Sequence, residues 1–451
     1  MYDECMGGME KADPNLMTEG SVWRKMITFA MPLFLGNLFQ QLYNTADSLI
    51  VGNMVSSQAL AAVSSSGNLI FLTVGFFTGL SVGASVVIAR FAGANDVRNE
   101  TVSVHSAVIL GLISSILLTI IGVTFAPTIL RLIDTPADVF DLSVSYFRIY
   151  FSGSVGMVMY NSFVSILQAN GDSKHPLMYL IISSITNVIG DLILIGVFHM
   201  GVEGAALATI ISQALSAILC LIHLIKTDKP YRIRLACLKW NTAMITRMLR
   251  YGLPSGFQNM IISLSNVFVQ SFINMFGSDA MAGIGAYTKI EGFAFLPTTC
   301  FSMTLTTFVA QNLGAKKPER ARQGVFFGIA CTLIVSELIG LGTAFFAPSI
   351  IGAFNPSAAV IAYGVGRAQV VGPFFFLVAY THTMAAVLRG AGKPVTPTVV
   401  FIACWCVVRI VVVTICRDLL PVIDVIYWIY PFTWTLSATT LHILYKKLKW
   451  E

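Results

Sequence analysis

Charged residues are scarce in this sequence: only 11% of its 451 residues are charged, against about 25% in a soluble domain. It has no Gly-x4-Gly-Lys-Ser/Thr loop, which excludes a P-loop ATPase, and no His-Glu-x-x-His pair, which excludes a zincin metalloprotease. Gly153-Ser-Val-Gly156 lacks the Gly-x-Ser-x-Gly spacing of a hydrolase nucleophile. The eight cysteines show no zinc or disulfide spacing, so we expect small apolar side chains there. We predict that the protein is not an enzyme and has no cofactor.

Long apolar runs dominate the sequence, and 56% of its residues are hydrophobic. A run of about 20 such residues can cross the roughly 30 Å hydrocarbon core of a bilayer. The runs lack the alternating pattern of a β-barrel, so we predict membrane-spanning helices. The twelve predicted spans, numbered in chain order, are 26–51, 59–89, 104–126, 139–168, 176–198, 204–225, 250–276, 280–310, 324–346, 359–388, 395–416 and 421–444.

The basic residues are concentrated in the segments on one side of the predicted membrane. Of the 28 lysines and arginines, 22 lie in segments on one side of the predicted membrane, which the positive-inside rule makes cytoplasmic. We therefore expect a multi-pass plasma-membrane protein with both termini in the cytoplasm, and we attribute the net charge of +6 to topology rather than to nucleic-acid binding. Residues 1–25 contain acids and no apolar core, so no cleaved signal peptide is predicted. The predicted domains are a cytoplasmic N-terminal segment 1–25, a first lobe 26–225, a cytoplasmic linker 226–249, a second lobe 250–445 and a cytoplasmic tail 446–451.

The sequence contains an internal repeat of two copies. A shift of 221 residues places Ser57–Gly93 on Ser278–Gly314 without a gap. Each copy has six spans, an even number, so the copies enter the membrane in the same orientation and are related by an axis along the membrane normal. We predict an all-α membrane protein of twelve transmembrane helices in two pseudo-symmetric six-helix lobes.

The two copies differ in their ionisable residues. Asp47, Asn187 and Asp191 in the first lobe fall on valines of the second, namely Val269, Val408 and Val412. A duplicated scaffold with charge in one half favours a single coupling site in the first lobe.

A polar stripe runs along span 1. Asn37, Gln40, Asn44 and Asp47 are spaced three, four and three residues apart, which places them on one helical face. Such a face cannot lie against lipid, because a charge at the bilayer centre costs about 2.5–3.5 kcal/mol on the gentlest scale. We predict that the stripe lines a cavity and that Asp47 is functional; a structural Asp47 bonded to a neighbouring helix is the alternative.

Span 5 carries a second polar pair. Asn187 and Asp191 lie at positions i and i+4, on one face. With Asp47 they would supply two carboxylates and an amide oxygen to a hard monovalent cation, or the two carboxylates could share a proton. Thr209 in span 6 could add a hydroxyl oxygen, although a membrane-helix threonine commonly bonds its own i−4 carbonyl. A structural pair is the remaining alternative.

Span 7 repeats the stripe with Asn259, Ser263, Asn266 and Gln270. These side chains would either line the cavity and contact substrate or hold helices together. His382 in span 10 would be cavity lining or a satisfied polar residue. Glu337 in span 9 and Arg409 in span 11 are predicted to form a static ion pair.

At these residues the chain resembles the multidrug and toxic compound extrusion (MATE) transporters, over about residues 20–445. The resemblance rests on Pro-x14-Asp in span 1, from Pro32 to Asp47, on Ala89-Arg-x-x-Gly-Ala after span 2, and on the Gly-x-Gly-Lys-Pro turn at 390–394. Asn187-x-x-x-Asp, followed by Gly201-Val-Glu-Gly-Ala-Ala, is similar to the prokaryotic branch with its cation site in the amino-terminal lobe.

The resemblance implies roles for particular residues. Asp47, Asn187, Asp191 and Thr209 would form the cation site, as metal ligands if the coupling ion is Na⁺, and Pro32 would be the bend in span 1. The second-lobe acids that another branch uses are missing, since Val269 stands opposite Asp47 and span 10 has no acid.

These observations predict an antiporter. It would export amphipathic, cationic organic compounds by alternating access in exchange for Na⁺ or H⁺, acting as a monomer in the lipid bilayer without a nucleic-acid partner. The alternative is a flippase for a lipid-linked saccharide, which would need a strongly basic cavity and extra spans.

Overall fold

Helices follow the predicted spans along the whole described chain. The computed structural model describes residues 15–55, 57–132, 135–419 and 422–450. Parts of the predicted N-terminal segment (1–14), the first residue of span 12 (421) and the last residue of the tail (451) therefore lie outside the described residues. Within those ranges the helices are Val22–Met54 (span 1), Ser57–Gly93 (span 2), Val97–Leu132 (span 3), Ala137–Ser152 with Ser154–Ala169 (span 4), Lys174–Asp191 with Leu192–Val197 (span 5), Gly201–Lys226 (span 6), Thr242–Asn274 (span 7), Ser278–Ala294 with Leu296–Gly314 (span 8), Pro318–Phe354 (span 9), Ala358–Val371 with Gly372–Phe374 and Phe375–Gly390 (span 10), Val395–Phe401 with Ile402–Val408 and Arg409–Leu419 (span 11) and Asp424–Lys446 (span 12).

This architecture confirms the predicted fold class, an all-α membrane protein with twelve helical spans. Among the described residues, eight helices are long and apolar enough to cross a membrane by length and composition, and spans 1, 4, 7 and 12 are not among them. The amide stripes of spans 1 and 7 lower their hydropathy. A polar helix is tolerated at membrane depth only where its polar face is turned away from lipid.

The internal repeat is visible in the turns. Gly171 precedes span 5 with a φ of +80°, and Gly392, its partner under the shift of 221 residues, precedes span 11 with a φ of +86°. An L side chain rarely adopts this left-handed conformation, whereas glycine does so without a steric penalty. The same backbone requirement therefore fixes the same residue in both copies.

The described chain divides into two compact units, and each division falls inside a helix. Unit 1 comprises residues 15–16 and Met31–Gly256, and unit 2 comprises Met17–Ala30 and 257–450. In span 1 the change of unit falls between Ala30 and Met31, next to Pro32, and in span 7 it falls between Gly256 and Phe257, two residues after Pro254. Each of these prolines lies within its helix, where it removes one backbone hydrogen bond and favours a bend.

Each unit has its own apolar core. In unit 1 the core includes Phe147 and Phe151, whose ring centroids lie 4.4 Å apart. In unit 2 it includes Phe375, Trp405 and Trp434, each at most 5% exposed. Aromatic side chains bury large areas, and offset or tilted ring pairs stabilise such packing further.

Small residues let two helices of unit 1 approach closely. A Cβ atom on Gly79 of span 2 would lie 2.3 Å from the Gly256 nitrogen, and one on Gly83 would lie 2.3 Å from the Gly252 nitrogen. Gly79-Leu-Ser-Val-Gly83 has the Gly-x-Ser-x-Gly spacing, but it lies within a helix and Ser81 Oγ donates to the Phe77 carbonyl. These glycines therefore serve helix packing, not a nucleophile elbow on a strand–turn–helix.

The segment Met17–Ala30, near the start of the described chain, belongs to unit 2. The Met17 backbone N–H donates to Gln311 Oε1 at 2.8 Å, and Arg320 donates to the Met17, Glu19 and Gly20 carbonyls at 3.1, 2.9 and 2.7 Å. These hydrogen bonds hold residues 17–20 against the adjoining ends of spans 8 and 9. Arg320 suits this role because its planar group carries five N–H donors.

One cysteine departs from the expectation of free apolar thiols. Six cysteines of the described chain form no disulfide: Cys220, Cys300, Cys331, Cys404, Cys406 and Cys416. Cys237, in a short turn of the linker, is disulfide-bonded, so the prediction is wrong for this residue. Disulfide connectivity depends on the fold and cannot be deduced from spacing alone.

Candidate functional site

The stripe residues of span 1 differ in their surroundings. Asp47, Asn37 and Gln40 are half-buried, whereas Asn44 is exposed. Asn37 Nδ2 donates to the Leu33 carbonyl of the same helix at 3.0 Å. The Asn37 amide group therefore donates a hydrogen bond within its own helix.

The Asp47 carboxylate on span 1 meets the Asp191 carboxylate on span 5. Each is within interaction distance of the other, so two predicted site residues from distant parts of the sequence are brought together. Asp191 is fully buried, and Asn187, one turn earlier, is 1% exposed. Asn187 and Asp191 therefore lie on the inner face of span 5.

These side chains have unused hydrogen-bonding capacity. Among the described residues, no donor reaches Asp47 Oδ1 or either Asp191 carboxylate oxygen, and neither polar atom of the Asn187 amide has a partner. Buried polar groups are nearly always paired, and a buried charge without compensation is costly. Two facing carboxylates and an unpaired amide oxygen therefore suit a bound cation or a shared proton.

The backbone changes its helical type at this point. A π-helical segment, Leu192–Val197, begins directly after Asp191. Such segments are rare in helices and are frequently found at functional sites. The π turn sets the direction of the helix beyond the carboxylate pair.

Span 6 brings Thr209 to the level of Asp191. A Cβ atom on Gly190 would lie 3.1 Å from Ala208 Cβ, so the two helices are in contact beside these residues. The Thr209 hydroxyl donates to the Ala205 carbonyl of its own helix at 3.0 Å. Its oxygen keeps lone pairs for a cation, but the hydroxyl is already satisfied as a donor.

Sequence reasoning missed the tyrosines around the pair. Tyr146 on span 4 is buried and lies within electrostatic range of both carboxylates, and Tyr43 on span 1 and Tyr150 on span 4 are half-buried near it. Gln213 Nε2 donates to Tyr43 Oη at 3.5 Å. Tyr43 stands four residues before Asp47, on the same helical face, and that spacing could have indicated it.

The predicted cavity residues of the second lobe lie in unit 2. Asn259 is half-buried, Asn266 and Gln270 are exposed, and Gln270 donates to Asn274 Oδ1 at 2.9 Å. His382 is enclosed by three aromatic rings, those of Phe295, Phe401 and Trp405, at centroid distances of 5.1–5.4 Å. Its Nε2 is buried without a partner among the described residues.

The predicted Glu337–Arg409 pair is wrong. Glu337 Oε2 accepts the Phe376 backbone N–H at 3.1 Å. An ion pair inside unit 2 instead joins Glu291 Oε2 on span 8 to the Arg367 guanidinium on span 10 at 2.9 Å. Helix rotation decides which faces meet, and a single sequence does not give that rotation.

Arg409 instead lies against aromatic rings and neutral oxygens. Its guanidinium carbon is 5.1 Å from the Trp405 ring centroid and 4.7 Å from the Tyr430 centroid. It donates to Thr433 Oγ1 at 3.1 Å and to Asn266 Oδ1 at 3.5 Å. Arg409 is 1% exposed, and its Nε has no partner among the described residues. Where unit 1 brings two carboxylates together, unit 2 therefore buries an arginine that forms no ion pair among the described residues.

Comparison with known proteins gives one consistent result. The MatE family profile matches residues 32–193 and 254–415, once in each repeat. The probable multidrug resistance protein YoeA of Bacillus subtilis is 28% identical over 409 residues, 88% of each chain. The FAD transporter of Shewanella oneidensis is 24% identical over 358 residues, 77% of this chain and 78% of the relative. An outward-facing multidrug resistance MATE family transporter of the MOP superfamily shares the fold, with a TM-score of 0.90, 22% identity and coverage of 97% and 98% of the two chains.

Proposed function

Because the chain belongs to the MatE family, we propose that it exports amphipathic organic compounds in exchange for Na⁺ or H⁺ moving inward. Several of its relatives are named probable multidrug resistance proteins, which supports transport of drug-like compounds across a membrane. The flippase alternative gains no support from these relatives. The single observation that carries the coupling is the Asp47–Asp191 carboxylate pair, in which no donor among the described residues reaches Asp47 Oδ1 or either Asp191 oxygen.

The pair makes the protein's state depend on a cation. Two close negative charges away from water repel each other, so the inward-turned pair is stable only when it holds a proton or a metal cation. A cation that binds one conformation more tightly than the other shifts the equilibrium between them. A compound with its own preference for one conformation is then coupled to the ion without sharing its site.

The neutral oxygens favour Na⁺, with protons competing for the same carboxylates. Asn187 Oδ1 has no partner among the described residues, and Thr209 Oγ1 retains lone pairs. A hard cation uses neutral amide and hydroxyl oxygens as ligands, whereas a shared proton does not need them. Asp47, Asp191, Asn187 and Thr209 would hold the ion, which supplies the positive charge that the site lacks.

Span 1 supplies the proposed link between ion and motion. Pro32 lies where the helix passes from unit 2 to unit 1, and Asp47 lies fifteen residues further along the same helix. That distance is about four helical turns. We propose that ion occupancy at Asp47 changes the bend at Pro32.

The charge of the transported compound has two candidates. Export of cationic compounds follows from the amide- and acid-rich stripe of span 1. Buried Arg409, with its unpaired Nε, favours instead compounds that carry an anionic group, because arginine forms strong charge-assisted bonds to carboxylate and phosphate. The relative named as an FAD transporter is compatible with the second candidate.

Orientation and assembly remain part of the proposal. The distribution of basic residues favours cytoplasmic termini in the plasma membrane, and one chain carries a complete set of the proposed ligands, which favours a monomer.

Uptake into inside-out vesicles tests the proposed function. Vesicles that contain the protein receive an imposed gradient of either Na⁺ or H⁺, and accumulation of one cationic and one anionic dye is followed. An ion gradient should drive accumulation of at least one dye, and vesicles without the protein are the control. Equal accumulation in both kinds of vesicle would overturn the proposal.

A further inference from the structure

A second polar cluster in unit 1 lies far from the carboxylate pair. It consists of Asp172, in the turn before span 5, His175, in the first turn of span 5, and His223, in the last turn of span 6. One ligand atom from each residue lies within 4.8 Å of the others. Asp191 is at the opposite end of the helix Lys174–Asp191, about 25 Å away at 1.5 Å per residue.

The turn before span 5 holds the carboxylate in place. Gly171 adopts a φ of +80°, which allows the chain to reverse directly before Asp172. Asp172 Oδ1 accepts the backbone N–H groups of Lys174 and His175, each at 3.2 Å, and so caps the start of the helix. Asp172 is 5% exposed. Its position is fixed by these bonds without any metal ion.

The two imidazoles complete the cluster. His175 Nδ1 lies 2.6 Å from Asp172 Oδ2, and the His175 and His223 ring centroids are 4.1 Å apart. The His175 side chain is 43% exposed, so the cluster has a buried carboxylate below an accessible imidazole. Two protonated rings at this distance would repel each other. Neutral imidazoles can instead act as metal ligands.

We propose that Asp172, His175 and His223 bind a divalent first-row transition ion, with Zn²⁺ as the reference ion. Imidazole nitrogens suit Zn²⁺, Cu²⁺ and Ni²⁺, and a carboxylate offsets part of the charge. Three protein ligands with one accessible side leave a fourth position for water. The hydrogen bonds that Asp172 receives from the backbone orient it, as supporting contacts do for metal ligands.

The ion would tie span 5 to span 6 at one end. Asp172 and His175 begin span 5, and His223 ends span 6. These are the helices that carry Asp191 and Thr209 at their other ends. Metal binding therefore stabilises this corner of unit 1, and the inference does not depend on which ion drives transport.

Titration of the full-length protein with Zn²⁺ tests the proposal. The chain is purified in detergent, stripped with a chelator and titrated by calorimetry, and its thermal unfolding is followed with and without ZnCl₂. We expect one ion per chain and a higher unfolding temperature with Zn²⁺, because a ligand that binds only the folded state stabilises it. Co²⁺ should give the visible absorption of a coordinated ion.

Single substitutions decide whether these residues are the ligands. His175→Ala and His223→Ala should each weaken Zn²⁺ binding by more than about tenfold and remove the thermal shift. His199→Asn, outside the cluster at a φ of +53° that asparagine tolerates, should bind like the wild type. Asp172 is left unchanged because it caps a helix. If His175→Ala fails to fold, His223→Ala gives the same test alone. No binding to the wild type, or binding unchanged in folded His223→Ala, would overturn the proposal.

Discussion

The Asp47 carboxylate of span 1 faces the Asp191 carboxylate of span 5, although 144 residues separate them in the sequence. Within the described chain no donor reaches either Asp191 oxygen. The shortage of positive charge at this point distinguishes unit 1 from unit 2. An arrangement of this kind is stable only with a cation or a proton, which gives the site its proposed role in coupling.

Asp47→Asn should abolish gradient-driven export. The amide keeps the size of the side chain but removes the charge that holds the ion, so transport should fall by more than about tenfold, or about 1.4 kcal/mol. Dye uptake into vesicles measures the effect. Asp279→Asn, an exposed acid of unit 2, is the control and should transport normally. Wild-type rates in folded Asp47→Asn would mean that Asp47 is not the coupling residue.

The second lobe should hold no coupling ion. Val269 stands at the position that corresponds to Asp47, and Glu291 is engaged by Arg367 at 2.9 Å. Glu291→Gln should therefore lower the unfolding temperature without changing the number of ions bound per chain, because it leaves the Arg367 charge buried and unpaired. Ion counting by equilibrium dialysis checks this. A loss of one bound ion in the variant would place a site in unit 2.

Pro32→Ala should slow turnover more than it weakens compound binding. Alanine restores a straight helix where span 1 changes unit, and this raises the barrier to the proposed bend. Transport rate and dye affinity are measured separately in proteoliposomes. Pro348→Ala in span 9, also inside a helix and exposed, serves as the matched control. An unchanged turnover number in Pro32→Ala would remove the hinge from the account.

Asn187→Ala should separate Na⁺ dependence from pH dependence. Loss of a neutral oxygen ligand should raise the Na⁺ concentration needed for half-maximal transport by about tenfold, with little effect on transport driven by a proton gradient. Since protons compete for the carboxylates, apparent Na⁺ affinity in the wild type should fall as pH falls. Transport is assayed across pH 6–9 at several Na⁺ concentrations. Transport that follows the proton gradient and ignores Na⁺ throughout would show a proton antiporter.

Arg409→Gln should discriminate between the two classes of compound. If the buried guanidinium receives an anionic group, affinity for anionic dyes should fall by about tenfold or more, in line with 1.5–3 kcal/mol for a hydrogen bond to a charged group. Affinity for cationic dyes should not fall. Arg322→Gln, at an exposed arginine, is the control. Equal effects on both dye classes would indicate a structural role for Arg409.

The sequence predicts the helices well and their mutual rotation poorly. Apolar runs, the repeat of 221 residues and the glycine turns at Gly171 and Gly392 follow from local chemistry, and the structure confirms the spans. The meeting of Asp47 with Asp191 was expected from helical faces and from the family resemblance. The Glu291–Arg367 pair was missed, because a single sequence does not show which of several buried charges face each other across two helices.

Some features of the site had no distinct signal in the sequence. The π turn after Asp191 depends on packing and cannot be identified from the apolar residues 192–197. Tyr146 is one of many aromatic residues, and its place beside the carboxylates depends on how span 4 packs. The cluster of His175 and His223 combines residues from different helices, 48 positions apart, so no local spacing indicated it.

The most direct test of the coupling measures ion movement driven by the compound alone. Proteoliposomes are loaded with a transported dye, no ion gradient is imposed, and Na⁺ and H⁺ are followed as the dye leaves. The account predicts that a cation moves in the opposite direction in the wild type and that this movement is lost in Asp47→Asn. Dye movement without any counter-movement of Na⁺ or H⁺ would contradict it.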